Sequence, residues 1–348
     1  MFKNKYNINL EFLRNNSINL FKEGNINEGF KMLDFSIDIF NDISDYELKF
    51  YYLTRINNLN NIIKFLKNNE NKNELPFFLK LNYLSDINNF GGINILFNPK
   101  DEYRYFCYKC FDIIKNIELP ELKQDLRYEA IIVEFRELKH LEFLIKNAIL
   151  KIGNTWSFTI VCGNLNFDFI LNITKNTKIK IIKLNYDNLN VDDYNKLMCT
   201  KDFWNLFVGE KLLIYEEDTF IFKSNIMDFI NWDYIGAPWP DSNDILVGNG
   251  GLSLRTKKVM IDIIENIPAI NYFPHDLYFS KHINQFGKLA DFISALKFSS
   301  EGLSNQNSFG GHCFFIYNYK WKSLILNNLL LFKENIFNSI LPLRTRKD

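Results

Sequence analysis

The feature that most constrains this chain is the alternation that runs from residue 128 to residue 218. Four short, nearly continuous apolar runs recur there: Tyr128-Glu-Ala-Ile-Ile-Val-Glu-Phe, Trp156-Ser-Phe-Thr-Ile-Val-Cys-Gly, Lys178-Ile-Lys-Ile-Ile-Lys-Leu and Lys211-Leu-Leu-Ile-Tyr. Such runs are too short for buried helices and read as strands covered on both faces. Between them, residues 138–150 and about 191–206 carry apolar residues at helical spacing. Strand and helix in alternation predict an α/β fold with a mostly parallel, doubly wound sheet of Rossmann type, because parallel neighbours need a crossover between them. Sheets of this kind bind ligands at the carboxyl ends of their strands.

The preceding residues follow another rule. Leu10, Leu13, Ile18 and Phe21, then Phe30, Leu33, Phe35, Ile37 and Phe40, recur as on helices, with Gly24-Asn25 as a break. The pair resembles one tetratricopeptide hairpin, but no second copy follows at the period of about 34 residues. Further helices are expected over about 45–67 and 101–117, and Leu119-Pro-Glu marks a boundary. The expected organisation is therefore a small all-helical domain over 1–125 and an α/β domain over 126–348. The helical part is expected to hold a protein partner or a second copy of the chain.

Composition narrows the function. Lys and Arg number 41, Asp and Glu 41, and 47% of residues are hydrophobic, which argues against disorder and against a nucleic-acid footprint. No apolar run approaches the length of about 18 residues that a membrane span needs. Of the five cysteines, Cys107 and Cys110 form one C-x-x-C without a second ligand pair, so they are expected on consecutive helix turns, binding nothing. Met1-Phe-Lys-Asn-Lys-Tyr-Asn lacks the apolar core of a secretory leader, so a reducing, cytoplasmic location is expected.

The fourth strand runs directly into Glu216-Glu217-Asp218. Strand alternation would put Glu216 and Asp218 on one face with Cα atoms roughly 6.5–7 Å apart. Asp218 could then hold a divalent ion, with Glu216 at the ion's water or a ribose hydroxyl; oxygen ligands suit Mg²⁺ or Mn²⁺. The plain alternative is a solvated strand end. Farther on come Asp233-Tyr-Ile-Gly-Ala-Pro-Trp239, then Gly248-Asn249-Gly250-Gly251, whose N–H groups could face a sugar or diphosphate. Asp276 stands at a helix start, and His312 follows two glycines. Each has a structural alternative: Asp276 as a helix-dipole acid, His312 as a satisfied loop histidine, Trp239 as half core and half cleft wall. Arg255 could pair with an acid or with phosphate. His140 and Asp233 read as structural.

These pieces, in this order, resemble the GT-A class of nucleotide-sugar-dependent glycosyltransferases. More narrowly they are similar to a GT-A-like family common in giant DNA viruses, which would place the protein in host cytoplasm or virion. The resemblance covers about 128–315 and leaves the helical residues outside. It implies a GT-A-like α/β fold and transfer of a sugar, UDP-linked, from a nucleoside diphosphate donor to a hydroxyl of a glycan or glycoprotein. It sets Glu216-Glu217-Asp218 in the place of a D-x-D motif. The leading Glu departs from that pattern and leaves Asp218 as the metal residue, with His312 as a second ligand and Mn²⁺ or Mg²⁺ as cofactor. Glu134, Phe135 and Arg136 would hold the base and ribose, with Glu216 and Glu217 also on the nucleotide side. Gly248, Asn249, Gly250 and Gly251 would position donor sugar and acceptor, and Trp239 would stack on a sugar. Asp276 would be the base of an inverting reaction, although His275 stands where the class often carries Glu. Two other readings stand beside this one. One is a non-catalytic carbohydrate- or nucleotide-binding protein on a decayed GT-A fold. The other is a sugar nucleotidyltransferase, for which an early glycine-rich, basic signature is missing.

Overall fold

The computed structural model describes residues 9–84, 87–239, 247–269, 274–305 and 307–340; the N-terminal run Met1 to Asn7 quoted above lies outside them. The N-terminal region is helical, with α1 (Leu10–Lys22), α2 (Ile26–Phe40), α3 (Ile43–Arg55), α4 (Leu59–Asn69), α5 (Ile87–Phe90) and α6 (Pro99–Ile114). Phe21, Leu33 and Leu48 form a buried cluster among the first three. The stretch expected as one helix over 45–67 is two. Asn57 adopts a φ of 55°, and the Asn58 side chain caps α4 by accepting from the Asn61 N–H at 3.1 Å. Asparagine tolerates the left-handed region and caps helices, so this pair is a break in spite of the apolar periodicity through it.

The chain forms two compact units, Met1–Glu102 with Tyr319–Ser323, and Tyr103–Asn318 with Leu324–Asp348. Residues 103–125, grouped with the helical region by sequence, belong to the second. The Tyr103 hydroxyl donates to the Thr219 carbonyl at 2.9 Å, its ring stacks on Phe315, and Arg104 pairs with Glu217 at 2.5 Å. Leu119-Pro120 thus follows the end of a helix, not the edge of a unit. Cys107 and Cys110 are buried, free thiols of α6.

The second unit is mixed α/β around a mostly parallel sheet. Its elements are β1 (Tyr128–Val133), α7 (Leu141–Ile152), β2 (Ser157–Cys162), α8 (Phe167–Thr174), β3 (Lys180–Lys183), α9 (Val191–Met198), α10 (Lys201–Asn205), β4 (Lys211–Tyr215), β5 (Thr219–Ile221), β6 (Tyr234–Ile235), β7 (Leu252–Thr256), α11 (Lys257–Asn266), α12 (His275–His282), α13 (Phe292–Phe298), β8 (Ser299–Ser300), β9 (Gly310–His312) and α14 (Trp321–Ile340). The main sheet runs β3-β2-β1-β4-β7-β6, parallel from β3 to β4 and antiparallel at β4–β7 and β7–β6. A smaller sheet runs β5-β9-β8. Alternation along the strands feeds two cores. Ala130, Ile132 and Leu213 pack with Ile145, Ile149 and Phe298 on one face. Ile131, Val133 and Ile214 pack with Trp204, Met260 and Phe279 on the other. Helices on both faces explain why the strands read as continuous apolar runs. The helix expected over 191–206 breaks at Cys199-Thr200, where the Thr200 hydroxyl accepts from the Phe203 N–H at 3.3 Å.

One buried carboxylate holds the start of β4. Glu129 accepts from the N–H groups of Val208 and Gly209 at 3.0 and 2.8 Å and from the Thr159 hydroxyl at 2.5 Å. Among the described residues, no helix is long and apolar enough to cross a membrane. Glu129→Ala should leave the Thr159 hydroxyl and the Gly209 N–H buried without that partner and lower stability by about 1.5–3 kcal/mol, read as a lower urea midpoint.

Candidate active site

β4 ends at Tyr215, and the acids after it form a tight turn in which the Thr219 N–H donates to the Glu216 carbonyl at 3.1 Å. Strand alternation therefore does not continue through Glu216 and Asp218. The turn still sends both toward one ring: His312 Nε2 lies 3.3 Å from Asp218 Oδ1 and 3.8 Å from Glu216 Oε2. Strand register explains the meeting. β5 pairs with β9 so that Thr219 faces His312, which brings Asp218 beside the histidine. β8 pairs with β9 so that Ser300 faces Gly311, which brings Glu301 to the ring's other side, 3.3 Å from Nδ1.

Cys313 completes the cluster. Its N–H donates to the Asp218 carbonyl at 3.2 Å, and its thiol donates to Asp218 Oδ2 at 3.3 Å and lies 3.6 Å from His312 Nε2. Asp218, His312 and Cys313 each offer a ligand atom within 4.8 Å of the others. Burial works against charge on His312, but the Asp218 carboxylate, with help from Cys313 and Glu301, raises its pKa well above the ordinary imidazole range. A carboxylate oxygen, an imidazole nitrogen and a sulfur, with a second carboxylate behind the imidazole, suit a divalent ion. Cys313 and Glu301 were not singled out from the sequence. Gly-Gly-His-Cys was legible as a run. Nothing near Glu301 signalled its role, because only the β8–β9 pairing brings it in.

The glycine loop is built differently from the expectation. The N–H groups of Gly248 and Asn249 donate to the Ala237 carbonyl at 3.1 Å, that of Gly250 to Asp276 Oδ2 at 3.2 Å and that of Gly251 to Asn249 Oδ1 at 3.0 Å. All four are used inside the protein, so they do not form an anion cradle. The glycines serve close packing. A Cβ on Gly250 would lie 2.7 Å from His275 Nε2, and one on Gly251 would overlap the His312 ring. Two consecutive residues thus touch the surroundings of Asp276 and His312, so these two flank one stretch of backbone. Asn249 also donates to Glu301 at 3.2 Å. Asp276 sits in the first turn of α12 and accepts from the Leu277 N–H at 2.8 Å. Burial raises its pKa, against the opposing pull of those N–H bonds and of Arg255. Trp239 is half-buried next to the Pro238–Val247 bridge.

Glu217 turns away from the cluster. Its carboxylate takes Arg104 at 2.5 Å, Arg136 at 3.4 Å and His140 at 3.3 Å. Burial alone would raise its pKa, yet His140 and Arg104 hold it far below the carboxylate range. Glu134 accepts from the N–H groups of Phe135 and Arg136 and clamps the Arg136 guanidinium at 2.8 and 2.7 Å. The Arg136 side chain remains 44% exposed, whereas Phe135 is buried. Among the described residues, Arg255 forms no ion pair with an acid, and it does not reach an open surface. It is fully buried over the Tyr234 ring at 4.6 Å, and its Nη2 donates to His275 Nε2 at 3.2 Å. Burial and that cation keep His275 neutral, with Nδ1 donating to Asn195. Asp233 is structural: it accepts from the Thr256 hydroxyl at 2.6 Å and the Lys288 N–H at 3.0 Å. A cavity of about 450 Å³ lined by Lys115, Glu142, Lys146 and Lys175 includes none of the site residues.

A family model described as a protein of unknown function (DUF5672) matches residues 176–312, a stretch that includes Asp218, Asp276 and His312. No curated protein matches the chain. Among solved structures, the chain is similar to the inositol-1-phosphate CTP transferase of T. maritima at 12% identity, over 60% of this chain and 98% of that one, with a TM-score of 0.39. It is similar to the glycosyltransferase GlyE of Streptococcus pneumoniae TIGR4 at 9% identity, over 64% and 66%, with a TM-score of 0.38. It is similar to S. aureus TarS 1–349 in complex with UDP-GlcNAc at 12% identity, over 48% and 56%, with a TM-score of 0.33.

Removing Glu217 should expose how much the network holds. Glu217→Ala is expected to cost about 3–5 kcal/mol at neutral pH, because two arginines lose a buried partner. The folded pKa of Glu217 lies below its unfolded value, so its contribution is present above the ordinary carboxylate pKa of about 4.3 and fades below it. The stability gap between wild type and variant should therefore narrow as the pH falls through that value, measured by urea unfolding at successive pH values.

Proposed function

We propose that this chain is a glycosyltransferase that moves a sugar from a nucleoside diphosphate sugar, UDP-linked, to a hydroxyl of a glycan or glycoprotein, with inversion. The observation that carries this reading is the Asp218–His312 pair, backed by Glu301, at the carboxyl end of a parallel strand in a doubly wound sheet. Asp218 and His312 would hold Mn²⁺ or Mg²⁺, an ion that when bound stabilises the leaving diphosphate as a Lewis acid. Glu216, 3.8 Å from the same ring, is within reach of a water or ribose hydroxyl there. Arg136 offers the exposed edge of its guanidinium to the nucleotide, while Glu134 and Glu217 fix its plane and Phe135 backs the loop. Asp276 takes the acceptor proton; its raised pKa makes it a better base than an ordinary carboxylate, and two backbone N–H groups fix its orientation. Gly248 to Gly251 hold Asp276 and His312 on either side of the reacting centre, and Trp239 gives a sugar a face to stack on. The helical unit takes a protein partner or a second copy of the chain.

A second reading, a nucleotide- or carbohydrate-binding protein without transfer, draws on one observation: Asp276 is already engaged by the Gly250 N–H, and the other loop N–H groups are taken by Ala237 and Asn249.

In calorimetry, UDP should bind with Mn²⁺ present, and Asp218→Ala should abolish that metal dependence. Equal, metal-dependent binding in both proteins would remove Asp218 from the site. Asp276→Asn should keep UDP binding and lower transfer about 10²- to 10⁴-fold. A thermal-shift panel of nucleotide sugars with and without Mn²⁺ identifies the donor, and release of sugar without acceptor separates the enzyme from the binding protein.

A further inference from the structure

We infer that Cys313 is a third protein ligand at the Asp218–His312 site, and that the site therefore selects a thiophilic divalent ion of the Zn²⁺ class over Mg²⁺. The inference rests on the reading above only in taking Asp218 and His312 as metal ligands.

Three independent features point to the thiol. The first is distance. His312 Nε2 lies 3.3 Å from Asp218 Oδ1, Cys313 Sγ lies 3.3 Å from Asp218 Oδ2, and sulfur and nitrogen are 3.6 Å apart, so thiol and imidazole converge on the two oxygens of one carboxylate. An imidazole nitrogen and a thiolate on one tetrahedral ion, bonded at about 2.0 and 2.3 Å, stand about 3.5 Å apart, which the 3.6 Å between Nε2 and Sγ matches. The second is backbone conformation. Cys313 has a φ of 49°, in the left-handed region that a non-glycine residue without a side-chain amide enters at a cost. That conformation, together with the Cys313 N–H bond to the Asp218 carbonyl, accompanies a thiol placed against the ligands. The third is the imidazole. Glu301 Oε1 stands 3.3 Å from Nδ1 as an ion-pair contact, and Nε2 faces Asp218 and Cys313, so a carboxylate lies behind the imidazole on the side away from those two residues, where metal-binding histidines carry their orienting partner.

The donor set decides the ion. Mg²⁺ demands near-octahedral oxygen ligands, whereas a thiolate with imidazole and one carboxylate suits Zn²⁺ or Co²⁺. Three protein ligands leave a fourth position for water or a diphosphate oxygen, as in catalytic rather than structural sites. As the ion binds, the thiol proton and any proton on Nε2 leave to solvent, and sulfur–metal and nitrogen–metal bonds form without change of oxidation state.

The test is titration of the full chain with Co²⁺, read by absorption. The wild type should show a thiolate-to-cobalt charge-transfer band in the near ultraviolet, and Cys313→Ser should lose it while the other four cysteines remain. Zn²⁺ affinity should fall at least about tenfold in that variant, the loss seen on removing even an outer partner of a ligand. Competition on the wild type alone decides independently of the variant's folding: Zn²⁺ should displace Mn²⁺, and Mg²⁺ should not. An unchanged cobalt spectrum in Cys313→Ser, or Mg²⁺ competing on equal terms with Zn²⁺, would overturn the inference. UDP titration of the same samples separates the two readings. A thiolate band without metal-dependent UDP binding keeps the cysteine site and removes the donor reading. Metal-dependent UDP binding lost in Asp218→Ala, without a thiolate band, does the reverse.

Discussion

The candidate site depends on the pairing of β5 with β9. That pairing is three residues long, yet it sets Thr219 against His312 and so joins an acidic turn to a histidine more than ninety positions later in the chain. β8 then adds Glu301 on the far side of the ring. Shifting the β5–β9 register by one residue would send every side chain to the opposite face and dissolve the cluster. Buried aromatic rings hold the small sheet in place: Phe314 packs edge-on to Phe222, and Phe220 stacks on Phe143.

Charge is handled locally throughout the second unit. Glu217 takes Arg104 and Arg136, and Glu134 shares Arg136, so the acids and bases around the first strand's loop satisfy one another. Arg255 instead lies against ring faces and a neutral histidine, with no ion pair among the described residues. Its field reaches Asp276, where it opposes the effect of burial. The even balance of 41 against 41 therefore includes acids and bases that compensate one another inside this unit, not only on its surface.

The sheet was legible because its strands are buried on both faces, which leaves continuous apolar runs that no other element mimics. The helix breaks at Asn57 and Thr200 were hidden because apolar spacing continues through them, while the local cause is a left-handed asparagine in one case and a hydroxyl cap in the other. β7 was hidden inside what read as a glycine loop. Only its antiparallel pairing with β4 shows that Leu252–Thr256 is a strand and that the glycines precede it. The expectation that the loop's N–H groups face an anion failed for a related reason. Partners such as Ala237 and Asp276 come from separate segments, and sequence spacing does not report them.

By itself the sequence determined the α/β class, the mostly parallel sheet, the helical N-terminal region and the position of Asp218 at the end of a strand. These follow from periodicity and strand order, which are local properties. Tertiary structure alone decided that Glu217 is buried against Arg104 and Arg136 while Glu216 and Asp218 face His312, and that Glu301 and Cys313 join them. The physical reason is that a turn replaces strand alternation after Tyr215, and that hydrogen-bonded register between distant strands, not spacing along the chain, sets which side chains meet.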